Sequence, residues 1–448
     1  MTEIRDALTT QVTACLKRHI QPGNRLTVGY SGGLDSSVLL HLLAGLRKSA
    51  DFSLAAVHIH HGLSPQADVW AQHCAQVCGE LDVPLEIHRV EVRPAGEGIE
   101  AAARAARYRV FARLDTDFLV LAHHRDDQAE TVLLQLLRGA SLKGLAAMPE
   151  VRPLAGVALL RPLLEATRAE ILAWASERGM GCGAGWIEDE SNADVRLARN
   201  ALRQEVLPRL SDRFPDASKA LAQAAGQFAE AALLLDALAD LDGRAAISGD
   251  GLALPVLNAL PEPRARNLLR RFLEQSGVEI HQESLREALR QLLTARQDAQ
   301  VRVDFGAFSL RRHRQWAVLD RVQVASDSSG AEIRLWRGED CLDLGAAGCV
   351  SFQSVTGAGV SLTPGEVTIR PRSGGERLRP GPGRPRRTLK NLLREAGIPA
   401  WQRGSLPLLY VGEALVWAAI VGADSDFLAK PGEPGWLISW QARMNRAA

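Results

Sequence analysis

The sequence predicts an α/β fold: a parallel sheet with helices on both faces, followed by a mostly helical middle domain and a small α+β C-terminal domain. Three observations predict it. In the first third, short β-rich runs alternate with segments of helical periodicity, which implies parallel strands joined by crossover helices. After Pro208 the apolar pattern becomes continuously helical. Beyond about residue 331 the runs are short and β-like again, and they enclose a Pro/Gly/Arg-rich stretch. The boundaries expected from these shifts are 1–212, 213–325 and 331–438.

The chain opens on MTEIRDALTTQVTACLKRHI, an amphipathic helical pattern that contains acidic residues and has no long apolar core, unlike a secretion signal. RLTVGY (25–30) follows as a buried strand. LAAVHIH (54–60), LEIHRVEV (85–92) and DFLVLAH (117–123) are the next strands, with VWAQHCAQVCGELD and IEAAARAARYRVFARLD as helices between them. DASKALAQAAGQFAEAALLLDALADLDG reads as one long helix, and PEPRARNLLRRFLEQSG and HQESLREALRQLLTA as two more. QVRVDFGAFSLRRHRQWAVLD reads as a hairpin and QVASDSSGAE (323–332) as a linker. RPRSGGERLRPGPGRPRR is expected to be an exposed loop leading into a helix.

The 448 residues carry a net charge of +1, but lysine (6) is scarce beside arginine (47). Nine of these cations lie between Arg372 and Arg403, and RRHR at 311–314 is a second cluster. Arginine-rich patches on a neutral chain point to local phosphate recognition. No run of about 18 apolar residues exists, so no membrane span is expected and the protein is placed in the cytoplasm. The six cysteines (15, 74, 78, 182, 341, 349) form no Cys-x-x-Cys pair and are expected to be reduced thiols, Cys74 and Cys78 acting as small buried hydrophobes.

The most informative stretch is SGGLDSS (31–37), between the first strand and an apolar helix. A strand-to-helix turn of small residues lets the helix N-terminus present its N–H groups to an anion, most often phosphate. Simple capping of the helix by Asp35 or Ser36 is the alternative. Gly-Lys-Ser/Thr is missing, as is Gly-x-Gly-x-x-Gly, so neither a Walker A loop nor a dinucleotide fingerprint is present. A carboxylate, Asp35, within a phosphate cradle calls for Mg²⁺ between the two.

Ser-Gly-Gly-x-Asp-Ser resembles the PP-loop of the N-type ATP pyrophosphatases. HIHHGLS (58–64), ARAARYRVF (103–111), AHHRDDQAETVLLQLLRG (122–139), RPLL (161–164), WIEDESNADVRLARNALRQEVLPRL (186–210) and TLKNLLREAGIPAWQRGSLPLL further resemble the tRNA(Ile)-lysidine synthases within that class. Leu197 departs from the pattern, where an aromatic residue is expected. The resemblance spans nearly the whole chain. It implies ATP and Mg²⁺ as cofactors, free L-lysine and the isoleucine tRNA with a CAU anticodon as substrates, and a ligase that adenylates the wobble cytidine and then joins lysine to its C2. It implies no obligate protein partner and leaves a homodimer open.

Residue by residue, the resemblance assigns ATP to Ser31, Gly32, Gly33, Leu34, Asp35, Ser36, His58 and Arg107. Asp35, His124 and Asp127 become catalytic, with Asp35 and Asp127 toward the metal. Asp127 and Glu130 share a helix face; they either complement the helix dipole or grip an amine of the lysine. His124 could orient substrate or take a proton. Arg104 and Arg107 share a face too, for salt bridges or for phosphates. Arg104, Arg199, Asn200, Arg203, Arg377, Arg386, Arg387, Lys390 and Arg403 are assigned to tRNA. Trp186 reads as core, with stacking on a base as the alternative.

Competing functions are less well supported. A PP-loop thiolase would carry a Cys-x-x-Cys pair or a catalytic cysteine, an amidotransferase synthetase a glutaminase, and a metallohydrolase His-Glu-x-x-His. A non-catalytic tRNA-binding protein would not need Asp35, Asp127 and Glu130.

Overall fold

The computed structural model describes residues 2–93, 98–188, 194–249, 251–296, 301–321 and 333–442. The expected linker at 323–332 lies outside the described residues. The chain forms two compact units, Met1–Asp242 and Gly243–Ala448.

The first unit contains α1 (Thr2–His19), β1 (Arg25–Gly29), α2 (Leu34–Leu46), β2 (Ser53–His60), α3 (Ala67–Glu80), β3 (Leu85–Arg89), α4 (Ile99–Phe111), β4 (Phe118–Val120), α5 (Arg125–Leu137), the short α6 (Leu142–Leu145), β5 (Val151–Leu154), β6 (Val157–Leu160) and α7 (Arg168–Glu177). The strands form one sheet in the order β3-β2-β1-β4-β6-β5, parallel except for β5. From β1 the chain moves outward to β2 and β3, then returns to place β4 on the other side of β1. That reversal opens a crevice at the carboxyl ends of β1 and β4, where such folds bind ligands. The 31–37 turn leaves β1 there, and His123 and His124 follow β4.

Helices cover both faces, as the strand–helix alternation predicts. Leu8, Val12 and Leu16 of α1, nearly all of α2, Cys74 and Val77 of α3, and Ile171 and Trp174 of α7 share one core. Phe111 of α4 packs with Val57, Leu119, Leu121, Val157 and Leu159 on the other face. Helix α2 is apolar all round because it runs between the sheet and other helices. Its Leu39 is fully buried, so Leu39→Ala is expected to destabilise the unit by about 2–5 kcal/mol. A denaturant titration checks this; a loss below about 1 kcal/mol would contradict the placement.

The unit ends with α8 (Ala198–Ala201), a π-helical turn (Leu202–Val206), α9 (Leu207–Arg213) and the long α10 (Ala217–Gly243). Lys143 Nζ, 2.9 Å from Asp236, ties α10 to α6.

The second unit begins with the short strands β7 (Ile247–Ser248) and β8 (Gly251–Ala253) and the helices α11 (Leu254–Ala259), α12 (Glu262–Gln275) and α13 (Gln282–Thr294). β9 (Arg302–Phe305), β10 (Phe308–His313) and β11 (Trp316–Arg321) complete an antiparallel sheet ordered β7-β8-β11-β10-β9. Their hairpin pairing is the one expected for QVRVDFGAFSLRRHRQWAVLD. Beyond residue 333 come β12 (Arg334–Trp336), β13 (Cys341–Asp343), β14 (Cys349–Thr356), β15 (Val367–Arg370), β16 (Arg377–Leu378), β17 (Arg387–Thr388) and α14 (Leu389–Glu395). β18 (Leu408–Val411), β19 (Ala414–Ala418), β20 (Gly422–Ala423) and β21 (Pro434–Gln441) close this antiparallel, β-rich region. Its core is built on Trp336, whose ring stacks on Phe352 at 4.4 Å.

Two expectations are corrected. Cys341 and Cys349 are joined by a disulfide, because β13 and β14 are adjacent antiparallel strands; the other four cysteines are free thiols. RRHR at 311–314 is a structural joint. Arg312 donates to the carbonyls of Leu292 (3.1 Å) and Ala295 (2.8 Å) at the end of α13. Arg314 donates to Arg394 O (2.9 Å), and His313 Nε2 lies 2.8 Å from Gly397 O, at the end of α14. The Arg311 guanidinium lies 4.9 Å from the Trp401 ring centroid. The last carbonyls of a helix lack intrahelical donors, and Arg312 and Arg314 supply them.

Candidate active site

Gly32 takes φ +86°, a conformation glycine adopts at no steric cost. An added Cβ there would stand 2.9 Å from Ile187 Cδ1 and 3.1 Å from Cys74 Sγ. Gly32→Ala is therefore expected to cost about 1–3 kcal/mol and to weaken ATP binding. Thermal unfolding together with an ATP titration checks it; two unchanged values would contradict the close fit.

Gly33 is the N-cap of α2 and no side chain caps the helix, which leaves the N–H groups of its first turn facing the crevice. Ser31 Oγ accepts from Gly33 N (3.3 Å) and lies 3.0 Å from Ser36 Oγ, which donates to Gly33 O (3.0 Å). The serines thus shape the loop. Leu34 is buried in the core, so its contribution to an anion is its backbone N–H alone. His58 is buried, with Nδ1 3.0 Å from Tyr30 O and 3.4 Å from Cys74 Sγ. Burial holds its pKa below the ordinary value, and the neutral ring buttresses the end of β1.

Asp35, in the first turn of α2, faces the start of α5. Its Oδ2 lies 3.7 Å from His124 Nε2 and 3.1 Å from Arg168 Nη1. Its Oδ1 is buried without a hydrogen-bond partner. Burial pushes its carboxyl up, against the pull of His124 and Arg168. His124 caps α5: its backbone N–H donates to Asp127 Oδ2 (3.0 Å), which also lies 3.5 Å from its Nε2. Burial works against charge on Asp127, but His124, including its backbone N–H, and Arg203 outweigh it and hold its carboxyl below the usual range. Glu130, one turn on, is almost fully buried, and burial pushes its carboxyl up.

Arg203 is turned inward. Its Nε lies 2.6 Å from Glu130 Oε1, and its Nη2 lies 3.1 Å from both Glu130 Oε2 and Asp127 Oδ1. Arg199, one turn before it, donates to Thr131 Oγ1 (3.1 Å), and the buried Asn200 donates to Asp194 O (3.0 Å). The face bearing Arg199 and Arg203 therefore lies on α5. Arg107 carries its charge toward His61 and His123, and Arg104 donates to Tyr108 Oη (3.3 Å). Trp186 is a core residue.

The C-terminal candidates are more thoroughly matched than their number suggests. Arg387 pairs with Glu395, and Arg386 lies 3.0 Å from Asp426. Arg379 lies 3.1 Å from Asp426, and Arg372 lies 3.2 Å from Glu376. Arg377 donates to Arg386 O (3.2 Å) and Arg403 to Ile398 O (2.8 Å). Arg384, Lys390 and Arg394 are exposed, and no ion pair or side-chain hydrogen bond engages them among the described residues.

Sequence reasoning missed Arg168 and Arg161. Arg168 opens α7 behind the Thr167–Glu170 capping box, and that Thr-Arg-x-Glu signal could have marked the helix start. Arg161 directly follows β6, is buried, and donates to Pro149 O (2.6 Å) and His123 Nδ1 (3.3 Å). Burial lowers His123 to about 3, so that ring is neutral at physiological pH.

An uncapped helix N-terminus after β1, with a half-buried carboxylate in its first turn and three more ionisable groups at the facing helix, defines a nucleotide site of the PP-loop class. The family profile for the PP-loop domain matches residues 5–210. The TilS substrate binding domain matches 252–318, and the TilS substrate C-terminal domain 367–440. The tRNA(Ile)-lysidine synthase of Nitrosomonas europaea is 40% identical, over 98% of both chains. That of Aromatoleum aromaticum is 44% identical, over 94% of this chain and 98% of its own. The chain belongs to the tRNA(Ile)-lysidine synthase family and is a ligase.

Proposed function

We propose that this protein joins free L-lysine to the wobble cytidine of the isoleucine tRNA with a CAU anticodon, in the cytoplasm. The cytidine carbonyl oxygen attacks the α-phosphorus of ATP and pyrophosphate leaves. The lysine ε-nitrogen then attacks C2, AMP leaves with that oxygen, and the nitrogen loses a proton. The observation that carries this reading is the convergence of Asp35, His124, Asp127 and Glu130 beside the uncapped start of α2. The loop 31–36 would bind the ATP phosphates, with Arg107 and His58 at the flank. Asp127 and Glu130 would take the lysine ammonium, and His124 would orient the reacting groups.

Mg²⁺ fits this donor set. Asp35 Oδ1 is a buried carboxylate oxygen with no partner, and hard oxygens are what Mg²⁺ takes. Asp35 and Asp127 would hold the ion, which neutralises charge on the phosphate oxygens when bound. Among the described residues no group of three or more His, Cys, Asp or Glu could cage a metal, and Mg²⁺ usually keeps water and substrate phosphate as its remaining ligands.

The functional division is 1–212 for chemistry, with 213–325 and 331–438 for tRNA. Arg104, Arg199, Asn200 and Arg203 would support the RNA near the site, and Arg377, Arg386, Arg387, Lys390 and Arg403 away from it. Arg384, Lys390 and Arg394 are the cations best placed for phosphates, since the others are already engaged. Replacing these three by alanine is expected to lower the magnitude of the log–log salt slope of tRNA binding by about 2. An unchanged slope in a salt titration would show that the loop does not contact phosphate.

A further inference from the structure

On the far flank of the crevice, where β4, β6 and β5 end, guanidinium groups crowd around one tyrosine. The Arg104 guanidinium lies 4.9 Å and the Arg152 guanidinium 5.6 Å from the Tyr108 ring centroid. Arg104 donates to the Tyr108 hydroxyl at 3.3 Å. Burial and the charges of Arg152 and Arg104 press the Arg161 pKa down to about 10. No carboxylate pairs with Arg104, Arg152 or Arg161 among the described residues, whereas arginines elsewhere in the chain pair repeatedly with Asp or Glu. Arg152 Nε is buried without a hydrogen-bond partner. Three mutually repelling cations held together without a counter-charge lack an anion.

We propose that Arg104, Arg152, Arg161 and the Tyr108 hydroxyl form a phosphate site, separate from the 31–36 loop, that holds a backbone phosphodiester of the RNA beside the target base. This rests on the tRNA-modifying reading and deepens it. The loop after β1 already offers a helix N-terminus to the ATP phosphates. The arginines stand instead at the ends of β6 and β5 and on α4, joined to the reacting groups through His123, which accepts from Arg161 and precedes His124. Guanidinium forks suit phosphate oxygens. The hydroxyl accepts from Arg104, so its own proton is free to be donated outward.

The test uses the full chain and three variants, Arg152→Ala, Arg152→Lys and Tyr108→Phe. Arg152 lies on the edge strand β5, so its loss leaves the sheet intact. The affinities for a tRNA transcript and for ATP are each measured over a range of salt. Arg152→Ala is expected to weaken tRNA binding about tenfold, to reduce the salt slope by about 0.7–0.9 and to leave ATP affinity unchanged. Arg152→Lys restores the slope because the charge is kept. Tyr108→Phe weakens tRNA binding at an unchanged slope, since no charge is lost. Unchanged tRNA affinity and slope in Arg152→Ala would overturn the proposal. So would a fall in ATP affinity with tRNA affinity intact, which would give the cluster to the ATP phosphates. The wild-type titration separately tests the underlying reading, which fails if the chain binds no tRNA.

Discussion

Asp35→Ala is expected to cut tRNA-dependent AMP formation by about 10²–10³-fold or more while leaving the fold intact. Asp35 is the one carboxylate in the first turn of α2. Its buried, unpartnered Oδ1 is the oxygen available to a cation between the protein and the phosphates. Removing a group that stabilises developing charge in a water-poor site carries a rate loss of about this size. The fold is spared because burial raises the Asp35 carboxyl. Its charge thus opposes stability in the free protein, and the neutral alanine relieves that. Arg168, its partner, is half exposed and turns to water. AMP release by the purified variant, with a thermal melt as control, is the measurement. Near-wild-type turnover with the same Mg²⁺ dependence would remove Asp35 from the site.

Glu130→Gln is expected to act on lysine. The Glu130 side chain is 1% exposed and is held by Arg203 through both oxygens. Arg203 takes one acceptor position on each oxygen, and an ionised carboxylate offers about four. A second cation, the lysine ammonium, can therefore share Glu130 and Asp127 with Arg203. The amide carries no charge and turns one end into a donor facing Arg203. A charge-assisted hydrogen bond is worth about 1.5–3 kcal/mol, so the KM for lysine should rise about tenfold or more. ATP affinity should hold, because Glu130 lies a turn beyond the residues nearest the phosphate loop. An unchanged KM for lysine with collapsed ATP binding would reassign Glu130 to the nucleotide.

The sequence made the strand–turn–helix at 25–46 legible because hydrophobic periodicity and small-residue turns are local signals. The pairing of Asp127 with Glu130 was legible for the same reason, being one turn of one helix. Arg203 was harder. Helical spacing places Arg199 and Arg203 on one face but does not say what that face meets, and the answer, Glu130, is 73 residues away. The pairing of Arg379 and Arg386 was hidden in the charge run of 372–403, because their partners Asp424 and Asp426 lie some 40 residues further on. RRHR looked like a phosphate patch for a similar reason: the carbonyls it satisfies end helices elsewhere in the chain. The group at Tyr108 draws Arg104 from a helix, Arg152 from a strand and Arg161 from just beyond another, and no short window of sequence contains it. The Cys341–Cys349 bridge likewise depends on strand pairing, which cysteine spacing does not reveal.

The most direct measurement is incubation of the purified protein with ATP, Mg²⁺, labelled lysine and bacterial tRNA, followed by isolation of the RNA. Label is expected in the isoleucine tRNA with the CAU anticodon, at the wobble cytidine, with one AMP released for each lysine joined. RNA that stays unlabelled while ATP is still converted to AMP and pyrophosphate would contradict lysine as the nucleophile.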